Sequence, residues 1–282
     1  MPELPEVETV RRGLRAVIGR RIDRVEVHHP RSVRRSSPEE LAARLVGATI
    51  TDVTRRGKYL FVSTDGDSAI MIHLRMSGQI LLDAPRCERP AHCHVVLSLA
   101  RRSDALDIEV RFVDPRTFGE VVAFDRWAIE ERLPELSRLG PDPIEDGLTR
   151  ARLGRALSGT RRPVKAALLD QRIVAGIGNI YGDEILHRAG VSPFRPAARV
   201  GRDQLNRLHG AIHDVLNEAI ACGGSTLGDA QYIGVDGRPG AFQSRHRVYG
   251  RAGSMCITCG RSRVVAAPLA GRTTSWCRSC QR

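Results

Sequence analysis

No apolar run in this 282-residue chain approaches the length needed to cross a membrane. No apolar h-region follows the acidic start either, so no secretory signal is expected. The chain therefore reads as cytoplasmic, with no membrane partner. Acidic residues are in short supply: 32 Asp and Glu stand against 44 Lys and Arg, a net charge of +12 and a pI near 10.2. That imbalance disfavours cationic ligands and suits a polyanion, nucleic acid first. An anionic membrane surface is the second candidate, but no long amphipathic basic helix is evident. The acidic deficit is complete at the end, where residues 243–282 hold eight Arg and no Asp or Glu. Cysteine is scarce and odd in number. Seven are present, four of them in pairs near the C-terminus, which argues for metal rather than a disulfide framework.

Hydrophobic residues make up 41% of the chain and charged residues 27%, which suits a globular protein with room for two domains. Residues 5–13 read as a helix with Val7, Val10, Arg11 and Leu14 on one side. Short β-rich runs follow at 22–27, 48–54, 59–64, 69–74, 95–99, 108–113 and 120–124. Their spacing and turn signals predict a sandwich or a barrel. Ser37, Pro38 and Glu40 start an inserted helix as cap, first residue and capping-box partner. Arg31, Arg34 and Arg35 form a basic loop before it. Residues 134–147, rich in Pro, Gly and acid, read as an interdomain connection. Helices are then expected at 150–158, 163–171, 179–190 and 202–222. The last carries an apolar stripe of Leu205, Leu208, Ile212, Leu216, Ala219 and Ile220. The Gly-rich stretch 225–243, with Tyr232 and Phe242, reads as a mobile loop able to close over a bound base. The boundaries are thus 1–133, a linker at 134–147, a helical region at 148–243 and a metal-bearing tail at 244–282.

Several stretches could carry chemistry. Removal of Met1 would expose the secondary amine of Pro2. Such an amine can attack an electrophilic sugar carbon and hold it as an iminium cation. An α-amino group titrates near about 7.7–8.0, so some is unprotonated at neutral pH. Glu3 is close enough in sequence to relay protons. The alternative is that Pro2 and Pro5 only stiffen a terminus. Residues 55–58 are a basic turn leading into a strand. Two strand-to-turn segments, 73–78 and 114–119, put Met76, Arg116 and Phe118 on loop tips. Such side chains can fill the gap left by an extruded nucleotide and pair with its widowed partner. His92 reads as a phosphate contact or a strand-edge residue. Cys87, Cys93, His92 and His94 do not have the spacing of a common metal site. Gly176-Ile177-Gly178-Asn179 is a tight turn into a helix N-terminus, an anion site unless Asn179 only caps the helix. It is not a dinucleotide fingerprint.

Cys256-x2-Cys259 and Cys277-x2-Cys280 are two knuckles separated by seventeen residues. Four thiolates at this spacing predict one structural zinc ion, with no position left for water. The Arg-studded hairpin they would staple reads as a phosphate-gripping module.

In their order these pieces resemble the formamidopyrimidine-DNA glycosylase family of bifunctional repair enzymes. The resemblance rests on residues 2–8, Arg56-Gly57-Lys58-Tyr59, His73-Leu74-x-Met76-Ser77-Gly78, Asp114-Pro115-Arg116-x-Phe118-Gly119, Gly176–Tyr181 and the four cysteines. It implies an α+β fold: an N-terminal two-layer β-sandwich with flanking helices, then a helix–two-turn–helix domain ending in a β-hairpin zinc finger. It implies a monomer that excises oxidised purines from damaged double-stranded DNA in base excision repair, by glycosylase and abasic-site lyase steps. The chain would associate with the bacterial nucleoid through its DNA binding. Pro2 would be the Schiff-base nucleophile, Glu3 the general acid, Lys58 the proton donor for β-elimination and Arg272 the δ-elimination and phosphate residue. His73, His92, Arg161, Lys165 and Asn179 would contact DNA, and Met76, Arg116 and Phe118 would form the wedge. Arg75 stands where the family usually has Gly, and Thr117 where a second Arg is common. Both departures lie on the wedge loops and bear on preference for the opposite base. Two other readings remain open. An endonuclease VIII-like enzyme for oxidised pyrimidines would share Pro2, Glu3 and Lys58. A non-catalytic zinc-ribbon DNA binder would explain the charge and cysteines alone.

Overall fold

β-Branched and aromatic residues alternate with small and polar ones through the first half, and there the chain pairs into two antiparallel sheets. The computed structural model describes residues 2–100, 107–228 and 231–282. These group into two compact units. The first unit is Met1–Ser137 with Gly223–Ala241. It begins with helix α1 (Leu4–Leu14), followed by β1 (Ile22–Val27), α2 (Pro38–Leu45), β2 (Ile50–Arg56), β3 (Tyr59–Thr64) and β4 (Ser68–His73). Strands β5 (Gln79–Asp83), β6 (Cys93–Leu99), β7 (Ile108–Val113) and β8 (Glu120–Asp125) follow, then the single turn α3 (Ile129–Arg132). One sheet has the order β1-β6-β7-β5 and the other β2-β3-β4-β8, every pairing antiparallel. The apolar faces meet in one core. Ile22, Ile80, Leu97 and Phe112 come from one sheet, and Val53, Leu60, Ile72 and Val121 from the other. Val7, Val10 and Leu14 add the apolar stripe of α1 to the same core.

Sequence reasoning missed strand β5. It is five residues long, lies at a sheet edge with β7 as its sole strand partner among the described residues, and fully buries only Ile80. So short a run gives a weak alternation signal. The α2 cap also differs from expectation. Ser37 Oγ accepts from the Glu40 N–H at 3.1 Å, but the Glu40 carboxylate pairs with Arg44 at 3.1 Å instead of closing a box.

The stretch expected to cap a base belongs by its contacts to the first unit. Leu82 N–H donates to Val235 O at 2.8 Å, and Tyr232 is buried in the sandwich core. Tyr232 Oη donates to Gly223 O at 3.0 Å, so this stretch is anchored at several points. Asp229 and Ala230 lie outside the described residues.

The second unit is Arg138–Cys222 with Phe242–Arg282. It holds α4 (Arg150–Ser158), α5 (Val164–Leu168), α6 (Asn179–Ala189), α7 (Arg202–Ala221) and the hairpin β9 (Val264–Leu269) and β10 (Arg272–Cys277). Residues 139–147, read as a connection, pack into this unit. Gly140 N–H donates to Gln171 O at 2.8 Å, Ala175 N–H to Pro141 O at 3.0 Å, and Asp142 is fully buried. Helices α6 and α7 share the core through Ile185, Leu186, Leu208, Ile212 and Leu216. Among the described residues no helix is long and apolar enough to cross a membrane.

Candidate active site and nucleic-acid interface

The N-terminal end of α1 is built from its own acidic residues. Glu3 N–H, one of the donors a helix start leaves unsatisfied, reaches Glu6 Oε2 at 2.8 Å. Pro2, Glu3 and Glu6 are all buried. The other oxygen of Glu6 accepts from Ser225 N–H at 2.7 Å. Gly224 makes this approach possible: its φ is +78°, and a Cβ there would lie 2.7 Å from Glu6 Oε1. One helix start therefore presents Pro2 and Glu3 and holds the entry to the 225–240 stretch.

Glu8, one turn further on, organises the basic turn. Burial pushes its carboxyl up, but Arg11, Arg12 and Arg55 outweigh that and bring it down to about 2. Arg55 Nε donates to Glu8 Oε2 at 3.1 Å, and Arg55 Nη1 donates to Gly57 O at 2.9 Å. Gly57 has a φ of +58° in the β2–β3 turn, and Lys58 follows it. The chain of contacts Glu8–Arg55–Gly57 thus fixes the turn that carries Lys58 to the helix that carries Pro2. Lys58 is 9% exposed.

Asp114 gathers the two loops that carry the wedge candidates. It is fully buried. Its Oδ1 accepts from Ser77 Oγ at 2.5 Å, and its Oδ2 accepts from Gly119 N–H at 2.6 Å. Met76 and the Arg116–Phe118 pair are thereby held on neighbouring loop tips. Phe118 is 47% exposed, and the Arg116 guanidinium lies 5.0 Å from its ring centre. Arg75 and Thr117 have φ of +52° and +55°, the left-handed region that favours glycine. Arg75 is held there by Glu120, with Nη2 to Oε1 at 2.6 Å.

His73 ends β4 with its ring edge-on to Tyr59, the centres 4.5 Å apart. Burial, aided by Arg75 and Lys58, drives its pKa down to about 3. Arg75 N–H donates to His73 Nδ1 at 3.0 Å, so the ring is neutral with its proton on Nε2. His92 is exposed, with a φ of +63°, between strands β5 and β6.

In the second unit, Gln171 stabilises the glycine turn. Its Nε2 donates to Ile177 O at 2.9 Å, and its Oε1 accepts from Gly176 N–H at 2.8 Å. Gly178 is the N-cap of α6 and Asn179 its first residue, so Asn179 does not cap. The Asn179 amide instead donates to Thr273 O at 3.0 Å, joining the turn to the hairpin. Arg161 and Arg272 are exposed. Lys165, expected to contact DNA, is enclosed by protein groups. It is 1% exposed, its Nζ 2.7 Å from Asp183 Oδ1 and 2.8 Å from Thr274 Oγ1. Asp183 Oδ2 also accepts from Ser275 N–H at 2.8 Å. Lys165 therefore pins α5 and α6 to β10, because its ammonium is enclosed by these partners. Glu184 adds a second fastening, accepting from the N–H groups of Arg247, Val248 and Tyr249.

The sulfurs of Cys256, Cys259, Cys277 and Cys280 lie within 4.8 Å of one another. Cys256 and Cys280 are 3.8 Å apart, Cys259 and Cys277 3.7 Å. A tetrahedron with metal–sulfur bonds of about 2.3 Å has edges of about 3.8 Å, so the four residues fit one metal ion. Sequence reasoning missed Glu6, Glu8, Asp114, Gln171 and Asp183. Only Glu8 left a local signal, its i+3 and i+4 arginines on a helix.

Comparison with known proteins matches residues 1–121 to the formamidopyrimidine-DNA glycosylase N-terminal domain and residues 139–231 to the H2TH domain of the same glycosylase. A formamidopyrimidine-DNA glycosylase of Moorella thermoacetica is 43% identical over 262 residues, 93% of each chain. The crystal structure of the MutM (Fpg) protein of Thermus thermophilus superposes with a TM-score of 0.87 at 42% identity, covering 99% of this chain and 98% of that one. Lactococcus lactis Fpg in complex with N7-benzyl-Fapy-dG DNA superposes with a TM-score of 0.89 at 33% identity, covering all of both chains. With both halves matched and the full length shared, this chain belongs to the formamidopyrimidine-DNA glycosylase family.

Proposed function

We propose that the protein excises oxidised purines from duplex DNA and then cleaves the strand through a Schiff base on Pro2. The observation that carries this reading is the arrangement along α1. Its start presents Pro2 and Glu3, and its Glu8 secures, through Arg55, the turn bearing Lys58. The Pro2 nitrogen attacks C1′ as the damaged base leaves. Glu3 protonates the opening sugar, and the resulting iminium acidifies C2′. Loss of that proton expels the 3′ phosphate, with Lys58 as the proton donor for this β-elimination. A second elimination, assigned to Arg272, expels the 5′ phosphate and leaves a gapped strand.

Met76, Arg116 and Phe118 on loops joined by Asp114 suit the gap left by an extruded base. The neutral His73, the exposed His92 and Arg161, and Asn179 beside the hairpin serve as backbone contacts, which give affinity with little sequence preference. The ion held by the four cysteines is zinc, which cross-links the hairpin bearing Arg272 and takes no part in the reaction. An enzyme with this substrate works in the compartment that holds the chromosome.

Borohydride reduction during turnover tests the reading. A covalent protein–DNA adduct is expected on duplex holding oxidised guanine opposite cytosine, and Pro2→Gly should abolish it. An undiminished adduct in that variant rejects the nucleophile. Stronger trapping on oxidised thymine than on oxidised guanine rejects the purine preference.

A further inference from the structure

The basic loop after β1 has no part in the chemistry above. Some of its side chains anchor it and others are left to solvent. Ser32 is fully buried, its Oγ 2.8 Å from His94 Nδ1. Val33 is 5% exposed and forms a backbone bridge with Val121. Arg35 is engaged by two carboxylates, Glu135 at 2.7 Å and Glu120 at 3.6 Å. Arg31 and Arg34 remain. Both are exposed, and among the described residues neither pairs with a carboxylate. Arg34 Nη2 instead donates to Thr117 O at 3.5 Å, a long contact to the wedge loop. Arg31 and Arg34, with Val33 and Arg35, line a cavity whose other wall is Thr117 and Phe118.

We propose that Arg31 and Arg34 form a phosphate subsite for the DNA backbone, beside the step that Phe118 fills. This rests on the DNA-repair reading above. The guanidinium fork matches a phosphate's oxygens. A loop anchored at Ser32, Val33 and Arg35 loses little freedom when its two outward arginines bind. The shared wall with Phe118 names the ligand, since whatever occupies this cavity adjoins the nucleotide step the ring enters. Arg35 is different in kind. Its charge is already balanced inside the protein, and it holds the loop instead of binding DNA.

The test uses the full-length, metal-loaded protein and a lesion-bearing duplex. Affinity is measured by fluorescence anisotropy over a series of salt concentrations. Each lost phosphate contact should reduce the slope of log K against log salt by about 0.9. Arg31→Ala and Arg34→Ala should each show that reduction, and the double variant about twice as much. Arg35→Ala should lower the thermal midpoint and leave the slope unchanged. Single methylphosphonate linkages, placed in turn along each strand, then locate the contact. A neutral linkage at the bound phosphate weakens the wild type but not the double variant, and its position identifies which strand occupies the subsite. A double variant with the wild-type slope overturns the proposal. So does an equal slope change in Arg35→Ala, or the lack of any linkage whose cost disappears in the double variant. A wild-type protein that gives no borohydride adduct overturns the functional reading itself. An adduct with unaltered salt slopes overturns the subsite alone.

Discussion

Glu8 of helix α1 and Arg55 of strand β2 meet at 3.1 Å, and neither side chain is more than 1% exposed. The pair joins the element that presents Pro2 to the hairpin that presents Lys58. Taking the Glu8 carboxylate away strips a charged partner from the fully buried Arg55, and breaking a buried pair in this way costs about 3–5 kcal/mol. Glu8→Gln should therefore lower the urea midpoint strongly at pH 7. The acid dependence has a definite sign. Burial raises the Glu8 pKa, but three guanidiniums lower it from 4.5 to about 2. The stabilisation is then fully present above pH 4.5 and is lost as pH falls toward 2, on the order of 3 kcal/mol in all. The wild type and Glu8→Gln should change in parallel between pH 7 and 4.5, and the wild-type midpoint should fall more steeply between pH 4.5 and 3. Curves still parallel below pH 4.5 would mean the pair carries no such coupling.

His73 should not titrate where the enzyme works. Burial, with Arg75 and Lys58 nearby, places its pKa at about 3, below the ordinary 6.5. The folded state disfavours the imidazolium. The stability linked to this group is present above pH 6.5 and declines as pH falls from there toward 3. Nitrogen NMR of the labelled imidazole should show one neutral tautomer, protonated at Nε2, from pH 5 to 8. A His73→Gln variant should weaken DNA binding and leave the inflections of the pH–rate profile unmoved. A lost inflection would make His73 a proton carrier in the reaction.

The contrast between Phe118 and Asp114 indicates what the sequence could disclose. Periodicity located most strands and helices because apolar faces recur at periods of two or 3.6 residues. The cysteine pairs were legible because metal ligands keep short local spacing. Met76 stood out as an apolar side chain on a loop tip, and Arg116 with Phe118 as a cation and an aromatic two residues apart, whereas His73 was named only through the family resemblance. Asp114 looked like an ordinary turn residue, because its partners Ser77 and Gly119 acquire meaning only once two strands are paired. Lys165 was named only through the family resemblance, and its enclosure by Asp183 and Thr274 was hidden for the same reason. Gln79–Asp83 was too short and too marginal in the sheet to give a clear alternation.

Metal removal should act locally. The four sulfurs have the separations of a tetrahedral site, and without an ion four close thiols hold the hairpin base far less well. Metal analysis should give one zinc per chain. Chelation, or Cys259→Ser, should speed amide exchange across residues 244–282 and weaken DNA binding. The β-sandwich amides should exchange at their former rates, because its core of Leu60, Ile72, Phe112 and Val121 contains no metal ligand. Zinc loss with unchanged affinity would separate the hairpin from DNA binding.

Asp114 offers the most direct test of the wedge. Its two oxygens accept from Ser77 Oγ and Gly119 N–H, one on each loop. Asn can keep its oxygen on Gly119 N–H and turn its amide to Ser77 Oγ, but it loses the charge and sets an N–H against Arg116 N–H, 3.3 Å from the oxygen it replaces. Losing one charge-assisted bond in a buried site costs about 1.5–3 kcal/mol. That strain should fall on the loops, since Asp114 ties the Met76 loop to the Arg116–Phe118 loop. Asp114→Asn should therefore slow base extrusion, read by 2-aminopurine fluorescence next to the lesion. It should reduce kcat/KM at least tenfold on a base-containing duplex and much less on a duplex whose site is already abasic. The sugar chemistry is proposed for Pro2 and Glu3, and the bonds of Asp114 run to Ser77, Arg116 and Gly119. Equal losses on both substrates would show that the aspartate serves the fold as a whole, and that the paired loops do not act as one wedge.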